Sequence, residues 1–253
     1  MKKILQIFFI ISSFALCEEN KNATEIINKT EQRFRMINDY QVNMVISINI
    51  PAFRMPKKKY TVFFKQPNQV QIKSKGFGLL PRTGMFTPPS ENFNNLTDVT
   101  INHTADSLGY GSVMLRGNLI VDSLAIKMPN DYAKLTFKPT VDVVIDTSQW
   151  VITRVITKID TIKIMEINNI YDFVDGSYFL PIRSTVEYFV KDARISKWLK
   201  KDIGTIIGNQ QSIDPVSDMV RGEISVTYNK YKVNRGINDS IFHKYLFLFL
   251  VQL

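Results

Sequence analysis

Apolar and polar residues alternate along most of the chain after residue 40, and this period of two predicts β-strands. The first run is Val42–Ile50, in which every second residue is apolar. Turn-forming segments such as Gln66–Asn68 and Val174–Ser177 separate the later runs. These runs centre on residues 60–64, 70–72, 113–115, 135–137, 141–145, 186–190 and 224–228. The pattern predicts a mainly β protein, built as a long antiparallel meander.

One helix is predicted before the first strand. Its apolar positions recur at the three- and four-residue spacing of a helix face, and they are Ile26, Ile27, Thr30, Phe34 and Ile37. The spacing predicts a helix over about residues 23–38, ended by Asn38 and Asp39.

The first residues have the pattern of an export signal. Met1–Lys3 is basic, and Ile4–Leu16 is almost wholly apolar but too short to span a bilayer. Cleavage before Leu16 and cleavage before Glu18 both fit, and a third alternative is a lipoprotein signal in which Cys17 is acylated. We expect residues 1–17 to be a signal peptide and 18–253 to be one domain. The protein would then be located in the periplasm or at the outer envelope.

Two apolar segments break the meander, 76–96 and 193–213. Neither alternates as a strand does. A sheet with one apolar face must cover that face, and one helix is too small for so many strands. We therefore expect these segments to serve as additional covers.

Composition excludes most kinds of enzyme site. The chain has one cysteine and two histidines, His103 and His243, and no phosphate-binding loop, nucleophile elbow or metalloprotease motif. Asp142 and Asp146 lie at polar positions of one strand, where we expect them to be solvated. The sequence predicts no catalytic residue, no metal and no cofactor. Lysine and arginine exceed aspartate and glutamate by 32 to 23, which suits an anionic lipid surface better than nucleic acid in an exported protein.

Four segments together resemble the outer-membrane lipoprotein carriers, the LolA/LolB-like family with its lipoprotein-sorting relatives. The resemblance covers about residues 23–242, nearly the whole mature chain. It is carried by the order of these segments: the helix and strand Glu25–Ile50 with Asp39-Tyr40 at their junction; Tyr60–Asn68, a strand that ends in a Lys-x-Pro-Asn turn; Val141–Arg154 followed by Val174–Pro181, which is similar to the family's V-D-G-x-Y-x-L-P hairpin; and Val226–Asn234 with Asp239–Phe242.

The resemblance implies a curved, unclosed antiparallel β-barrel with an N-terminal helix and a helical or loop lid over an apolar concave face. It implies a non-enzymatic carrier that binds acyl chains of lipoproteins or other lipids for transport or sorting to the outer membrane. The cavity would be lined by Met44, Ile46, Ile48, Tyr60, Val62, Phe64, Val70 and Ile72. The lid would consist of Leu79, Leu80, Phe86, Trp198 and Leu199.

Some features depart from the family. Enteric carriers hold the lid with an arginine on an early strand, but Val42–Ile50 has none and Arg54 is predicted to lie in a turn. The apolar run at 243–253 extends past the family's usual end. We expect a monomer that exchanges cargo with a membrane-anchored donor or acceptor protein. Two alternatives stay open: an envelope-stress sensor of the same fold, and a structural outer-envelope lipoprotein.

Overall fold

The computed structural model describes residues 22–50, 53–74, 88–102, 111–120, 139–159, 161–190 and 220–242. A helix, α1, covers residues 22–35. The ten strands are β1 (Asp39–Ile50), β2 (Phe53–Lys65), β3 (Gln69–Ser74), β4 (Leu96–Ile101), β5 (Ser112–Leu119), β6 (Pro139–Asp146), β7 (Val151–Ile159), β8 (Ile162–Val174), β9 (Tyr178–Val190) and β10 (Val220–Val233). Single turns of 3-10 helix lie at Pro89–Asn92 and Asp239–Ile241.

The ten strands form one antiparallel sheet in the order β3-β2-β1-β10-β9-β8-β7-β6-β5-β4. Among the described strands, β3 and β4 are the two edges, so the sheet is not closed into a barrel. The predicted fold class, mainly β with an unclosed antiparallel sheet and an N-terminal helix, is confirmed.

The chain divides into two compact units. Among the described residues, 22–34 and those from 88 to 162 belong to the first unit, while 35–74 and those from 163 to 242 belong to the second. The first unit holds β4–β7 and most of α1. The second unit holds β1–β3 and β8–β10. The single mature domain predicted for residues 18–253 stays a prediction.

In the first unit, α1 is attached by polar contacts from two of its side chains. The Lys29 ammonium lies 4.7 Å from the centre of the Trp150 ring, an attractive cation–π geometry. Two residues further, the Glu31 carboxylate accepts a hydrogen bond from the backbone N–H of Ser90 at 3.3 Å. These contacts join α1 to the β6–β7 turn and to the 3-10 helix Pro89–Asn92.

The helix ends three residues earlier than predicted. Helical structure stops at residue 35, and Asp39 already belongs to β1. The backbone N–H of Asn38, which an extended helix would bond within itself, donates instead to the side-chain oxygen of Asn234 at 2.7 Å. A tertiary contact therefore determines this boundary.

The prediction that Arg54 lies in a turn is wrong, because β2 begins at Phe53 and continues through Pro56. Ile46 pairs with Lys58 and Ile48 with Met55, so the register shifts between them. Such a shift leaves extra residues of β2 outside the regular ladder, and proline is tolerated in a strand at such a bulge. The strand therefore passes through a residue that sequence reasoning treated as a breaker.

Strands β4, β7 and β8 were not among the predicted alternating runs. β8 carries polar residues on both faces, among them Glu166 on one face and Asn169 on the other, so its alternation is weak. The run predicted at 135–137 lies outside the described residues.

Candidate functional site

Six of the eight residues predicted to line a cavity are buried on one face of neighbouring strands. Met44 on β1 lies opposite Tyr60 on β2, and Val62 on β2 lies opposite Ile72 on β3. Directly opposed residues of antiparallel strands place their side chains on the same face. The six buried residues are Met44, Ile46, Ile48, Tyr60, Val62 and Phe64. The structure brings them together as one continuous apolar surface, which we name the inner face.

The remaining two residues of the predicted set lie on β3, an edge of the described sheet. Val70 pairs with Phe64 and shares its face, yet its side chain is exposed. Ile72 is partly exposed. The inner face therefore becomes accessible to solvent toward β3.

On its other side the inner face continues across β10, β9 and β8. Val226 on β10 lies opposite Ile46, and Ile224 lies opposite Val186 on β9. Val186 in turn lies opposite Ile167 on β8. Val226 is fully buried, and Ile224 and Val186 are buried. Two polar residues interrupt this part of the face: Ser184 on β9 lies opposite Val226, and its hydroxyl donates to the side-chain oxygen of Asn169 on β8 at 2.7 Å. The surrounding aliphatic surface suits apolar ligands or close packing.

A bulge in β10 turns two tyrosines onto this face. Lys230 and Tyr231 together oppose the single residue Val42, and Lys230 has a φ of +57°. An extra residue of this kind reverses the alternation along a strand. Tyr228 and Tyr231, three positions apart, are consequently both buried.

Aromatic rings fill this end of the inner face. The rings of Tyr40 and Phe64 stack at 4.9 Å, and Tyr231 meets Tyr40 edge-on at 6.1 Å. The Tyr231 hydroxyl donates to the carbonyl of Pro181 at 2.7 Å. Burial raises the pKa of Tyr40 and of Tyr231 well above the ordinary tyrosine value. Both phenols are therefore neutral at physiological pH.

Next to the aromatic end, polar side chains bind the end of β10 to the start of β1. The Asp39 carboxylate, itself buried, accepts hydrogen bonds from the backbone N–H groups of Arg235 and Gly236, both at 3.0 Å. The side-chain oxygen of Asn234 accepts from the N–H of Asn38. These bonds hold residues 234–236 against the junction of α1 and β1.

The turn between β8 and β9 is bound to the same place. The Asp175 carboxylate accepts from the backbone N–H of Val233 at 2.8 Å and pairs with the Arg235 guanidinium at 3.0 Å. The hydrogen bond from Val233, together with the charge of Arg235, lowers the pKa of Asp175. The β8–β9 hairpin, the end of β10 and the start of β1 thus meet at one end of the second unit.

The first unit contains a buried charged group, Asp142, which corrects the expectation that this residue is solvated. Asp142 is fully buried. Its carboxylate accepts hydrogen bonds from Arg116 Nε at 2.6 Å and Nη2 at 2.9 Å, and from Lys158 Nζ at 2.9 Å. The cause is the position of β6 between β5 and β7. Every residue of Val141–Ile145 is buried there, including those at polar positions of the pattern. Burial alone would raise the pKa of Asp142, but the bonds from Arg116 and Lys158 outweigh it and lower the pKa.

Several predicted residues lie outside the described part of the chain. They are the possible lipidation site Cys17 and the predicted lid residues Leu79, Leu80, Phe86, Trp198 and Leu199. Within the described ranges, no group of three or more histidine, cysteine, aspartate or glutamate side chains is arranged to hold a metal ion. No helix within those ranges has both the length and the apolar character needed to cross a membrane.

No family model and no curated protein sequence matches the chain. Solved structures do match it over most of its length. A DUF1329 family protein from Desulfovibrio piger has a TM-score of 0.50 at 9% identity, and the match covers 89% of this chain and 98% of that chain. A LolA superfamily protein from Nitrosomonas europaea has a TM-score of 0.44 at 13% identity, covering 88% and 97%. A putative outer membrane lipoprotein-sorting protein domain from Vibrio parahaemolyticus has a TM-score of 0.42 at 10% identity, covering 88% and 97%.

These comparisons bear on the fold. The Desulfovibrio structure shares the fold of this chain. Identities of 9 to 13% say nothing about which ligand this chain binds.

The sequence missed half of the inner face. Alternation placed Val226 and Val186 in strands, but no local pattern shows that β10 lies beside β1. The resemblance of Val226–Asn234 to a closing strand was a usable signal, because a last strand that joins the first extends the same face.

Proposed function

We propose that this protein is a non-enzymatic acyl-chain carrier of the cell envelope, whose inner face binds the apolar part of a lipid or of a lipoprotein. The observation that supports this most is the continuity of the inner face. Apolar residues lie directly opposite one another from Ile48 on β1, through Ile224 on β10 and Val186 on β9, to Ile167 on β8. The export signal predicted at residues 1–17 supports a location in the envelope.

The energetics favour a long acyl chain. Each buried CH₂ gains about 0.8 kcal/mol, so a chain of about sixteen carbons gains on the order of 10 kcal/mol before the entropy of ordering is subtracted. Binding requires that the inner face is loosely covered. The predicted lid residues are therefore part of this proposal.

A second candidate is a structural outer-envelope lipoprotein, in which the same face is a permanently filled core. Its supporting observation is that Val62 and Val226 have no exposed surface at all. In that case the face would have the close packing of ordinary protein interiors and leave no room for a ligand.

The first test is native mass spectrometry of the protein purified gently in its processed form, followed by organic extraction of anything bound. The carrier proposal expects a discrete added mass that extracts as a lipid. A clean ligand-free mass, together with no uptake of a fluorescent fatty acid, contradicts it and favours the filled core.

A pair of bulky substitutions separates the two candidates further. Val226→Trp adds volume to the inner face, whereas Thr227→Trp adds it to the opposite face of the same strand. If the inner face holds cargo, Val226→Trp reduces lipid uptake while the protein stays folded, because the ring takes up room that the acyl chain would occupy. If the face is a filled core, neither the unsubstituted protein nor Val226→Trp takes up lipid. The added ring then lowers the free energy of unfolding by about 1–3 kcal/mol or more. Thr227→Trp is the control for effects of the added ring itself.

A further inference from the structure

A cluster of charged side chains lies in the first unit, where two cations meet at one carboxylate. Arg116 on β5 lies directly opposite Asp142 on β6, and Lys158 on β7 lies opposite Thr140, the residue two before Asp142. All four side chains therefore share one face of the sheet. The Asp142 carboxylate accepts hydrogen bonds from Nε and Nη2 of Arg116 and from Nζ of Lys158. These bonds place the two cations side by side.

The two cations are accessible to solvent, whereas the carboxylate between them is not. The Arg116 side chain is 41% exposed and the Lys158 side chain is 27% exposed, while Asp142 has no exposed surface. A molecule that approaches this face consequently meets the guanidinium and the ammonium but not the acid. The cluster also carries one positive charge more than it has negative charges. Its exposed part therefore suits an anion.

Both cations keep hydrogen-bond donors that Asp142 does not use. Asp142 occupies Nε and Nη2 of the guanidinium, which leaves the N–H groups of Nη1, and it takes one bond from the ammonium. Within the described part of the chain, no other acceptor bonds to Arg116 or Lys158. Arg116 Nη2 and Lys158 Nζ each lie 2.9 Å from Oδ2 of Asp142, so the two nitrogens are within about 6 Å of each other. Donors at this spacing can bond to one oxyanion.

Packing does not require charges at this place in the sheet. The same face carries the buried apolar side chains of Met114, Val144 and Ile156 around the cluster. Removing charges from water costs about as much free energy as their attraction returns, so a buried ion pair adds little stability over apolar residues of the same volume. Binding by the exposed cations is then the use that accounts for the cluster.

Two other acids near this face are bonded to neighbours other than these cations. Asp98 on β4 accepts a hydrogen bond from the side chain of Asn118 at 3.1 Å. Asp146, four residues along β6 from Asp142, accepts from the backbone N–H and the hydroxyl of Ser148. The positive charge of the cluster is thus not shared with a second carboxylate.

We propose that Arg116 and Lys158 form a binding site for a phosphate group, which we name the anion site, and that Asp142 holds the two cations in position. The phosphate oxygens accept from Nη1 of Arg116 and from the remaining N–H groups of Lys158. Thr100 lies opposite Arg116 and Thr140 opposite Lys158, and both are partly exposed, so their hydroxyls border the site. The same chemistry serves the phosphate of a lipid headgroup and that of a soluble compound. The inference does not rest on acyl-chain carriage, because these residues lie outside the inner face.

The anion site is tested by titrating the processed protein with inorganic phosphate and following the NMR chemical shifts of its backbone amides. A parallel titration with sodium chloride at the same ionic strength accounts for screening. Lys158→Gln removes one cation of the site while keeping a side chain that forms hydrogen bonds. Arg183→Gln is the matched control, because it removes the same charge from an exposed position on β9 in the second unit.

We expect amide shifts around residues 140–142 and 156–158 that saturate with phosphate but not with chloride, with a Kd on the order of 1 mM. Lys158→Gln should weaken phosphate binding roughly fivefold, whereas Arg183→Gln should leave it unchanged. Arg116→Lys is the second variant, used in case Lys158→Gln does not fold. It keeps a cation beside Asp142 but loses the Nη1 donors, so it should stay folded and bind phosphate more weakly.

Vesicles distinguish the two sources of the phosphate. Binding to phosphatidylcholine vesicles with about 30% phosphatidic acid, weakened by Lys158→Gln, assigns the anion site to a lipid headgroup. Saturable phosphate shifts without vesicle binding assign it to a soluble phosphate compound. The proposal is overturned if chloride produces the same shifts as phosphate, if no shift saturates, or if Lys158→Gln and Arg183→Gln weaken binding equally.

Discussion

Removing both cations that contact Asp142 should reverse the sign of this residue's contribution to the change of stability with pH. In the parent protein, Arg116 and Lys158 donate three hydrogen bonds to a fully buried carboxylate. In the variant Arg116→Ala/Lys158→Ala, that carboxylate stays buried with neither partner.

The magnitudes follow from the burial of each group. A hydrogen bond to a charged group contributes about 1.5–3 kcal/mol, and the Arg116 and Lys158 side chains are 41% and 27% exposed, which weakens their attraction through solvent screening. We expect Arg116→Ala alone to lower the free energy of unfolding by about 2 kcal/mol at neutral pH. The double variant should lose about 3–5 kcal/mol, because a buried charge is then left uncompensated.

The pH dependence gives the sharper test. In the parent the folded-state pKa of Asp142 is lowered, so its stabilising contribution is present above the unfolded value of about 3.9 and is lost as pH falls through the folded pKa. In the double variant only burial acts, and burial raises the pKa. Its folded state takes up a proton as pH falls from neutral, so the penalty present at pH 7 is relieved in acid.

Urea unfolding followed by circular dichroism between about pH 7 and pH 4 measures this difference. The gap between parent and double variant should be widest at neutral pH and should narrow in acid. Arg183→Ala, which removes an exposed cation on β9, serves as the control. Its free energy of unfolding should stay close to that of the parent at every pH in this range. A gap that stays constant or widens in acid would refute the reasoning.

Two further predictions follow from close packing and from buried phenols. A Cβ at Gly117 would lie 2.9 Å from the Cβ of Leu96, so Gly117→Ala should cost about 1–3 kcal/mol of unfolding free energy, and an unchanged thermal midpoint would contradict it. Burial raises the pKa of Tyr40 and Tyr231, so their contribution to stability is present below the unfolded value of about 10 and is lost as pH rises. Absorbance near 295 nm should then show these phenols ionising together with the loss of β-sheet circular dichroism; full titration of an intact fold near pH 10 would count against it.

Strict alternation predicted β1 well, because one face of that strand is buried and the other is not. Val42, Met44, Ile46 and Ile48 are all buried, and the residues between them are less so. The same reasoning failed for Asp142, since β6 is buried on both sides and alternation assumes a solvated face. The cations within the largely apolar strands β5 and β7, Arg116 and Lys158 among them, were the available signal for a buried carboxylate.

Long-range pairing could not be predicted from local pattern. The early end of α1 depends on Asn234, which lies nearly two hundred residues away in the chain. The continuation of β2 through Pro56 depends on a register shift against β1. Both features arise from contacts between distant segments, which a window of neighbouring residues does not contain.

The position of β10 has a consequence for how the chain is made. β10 lies between β1 and β9, so Tyr40 finds its partner Val233 only after every residue between them has been synthesised. Pairing over such a separation is slow, because loop-closure entropy must be overcome first. Until then β1 has only β2 beside it, and β9 has only β8. A nascent chain of this kind lacks the strand that joins β1 to β9 until residues 220–233 have been made, and until then the sheet cannot form as one piece.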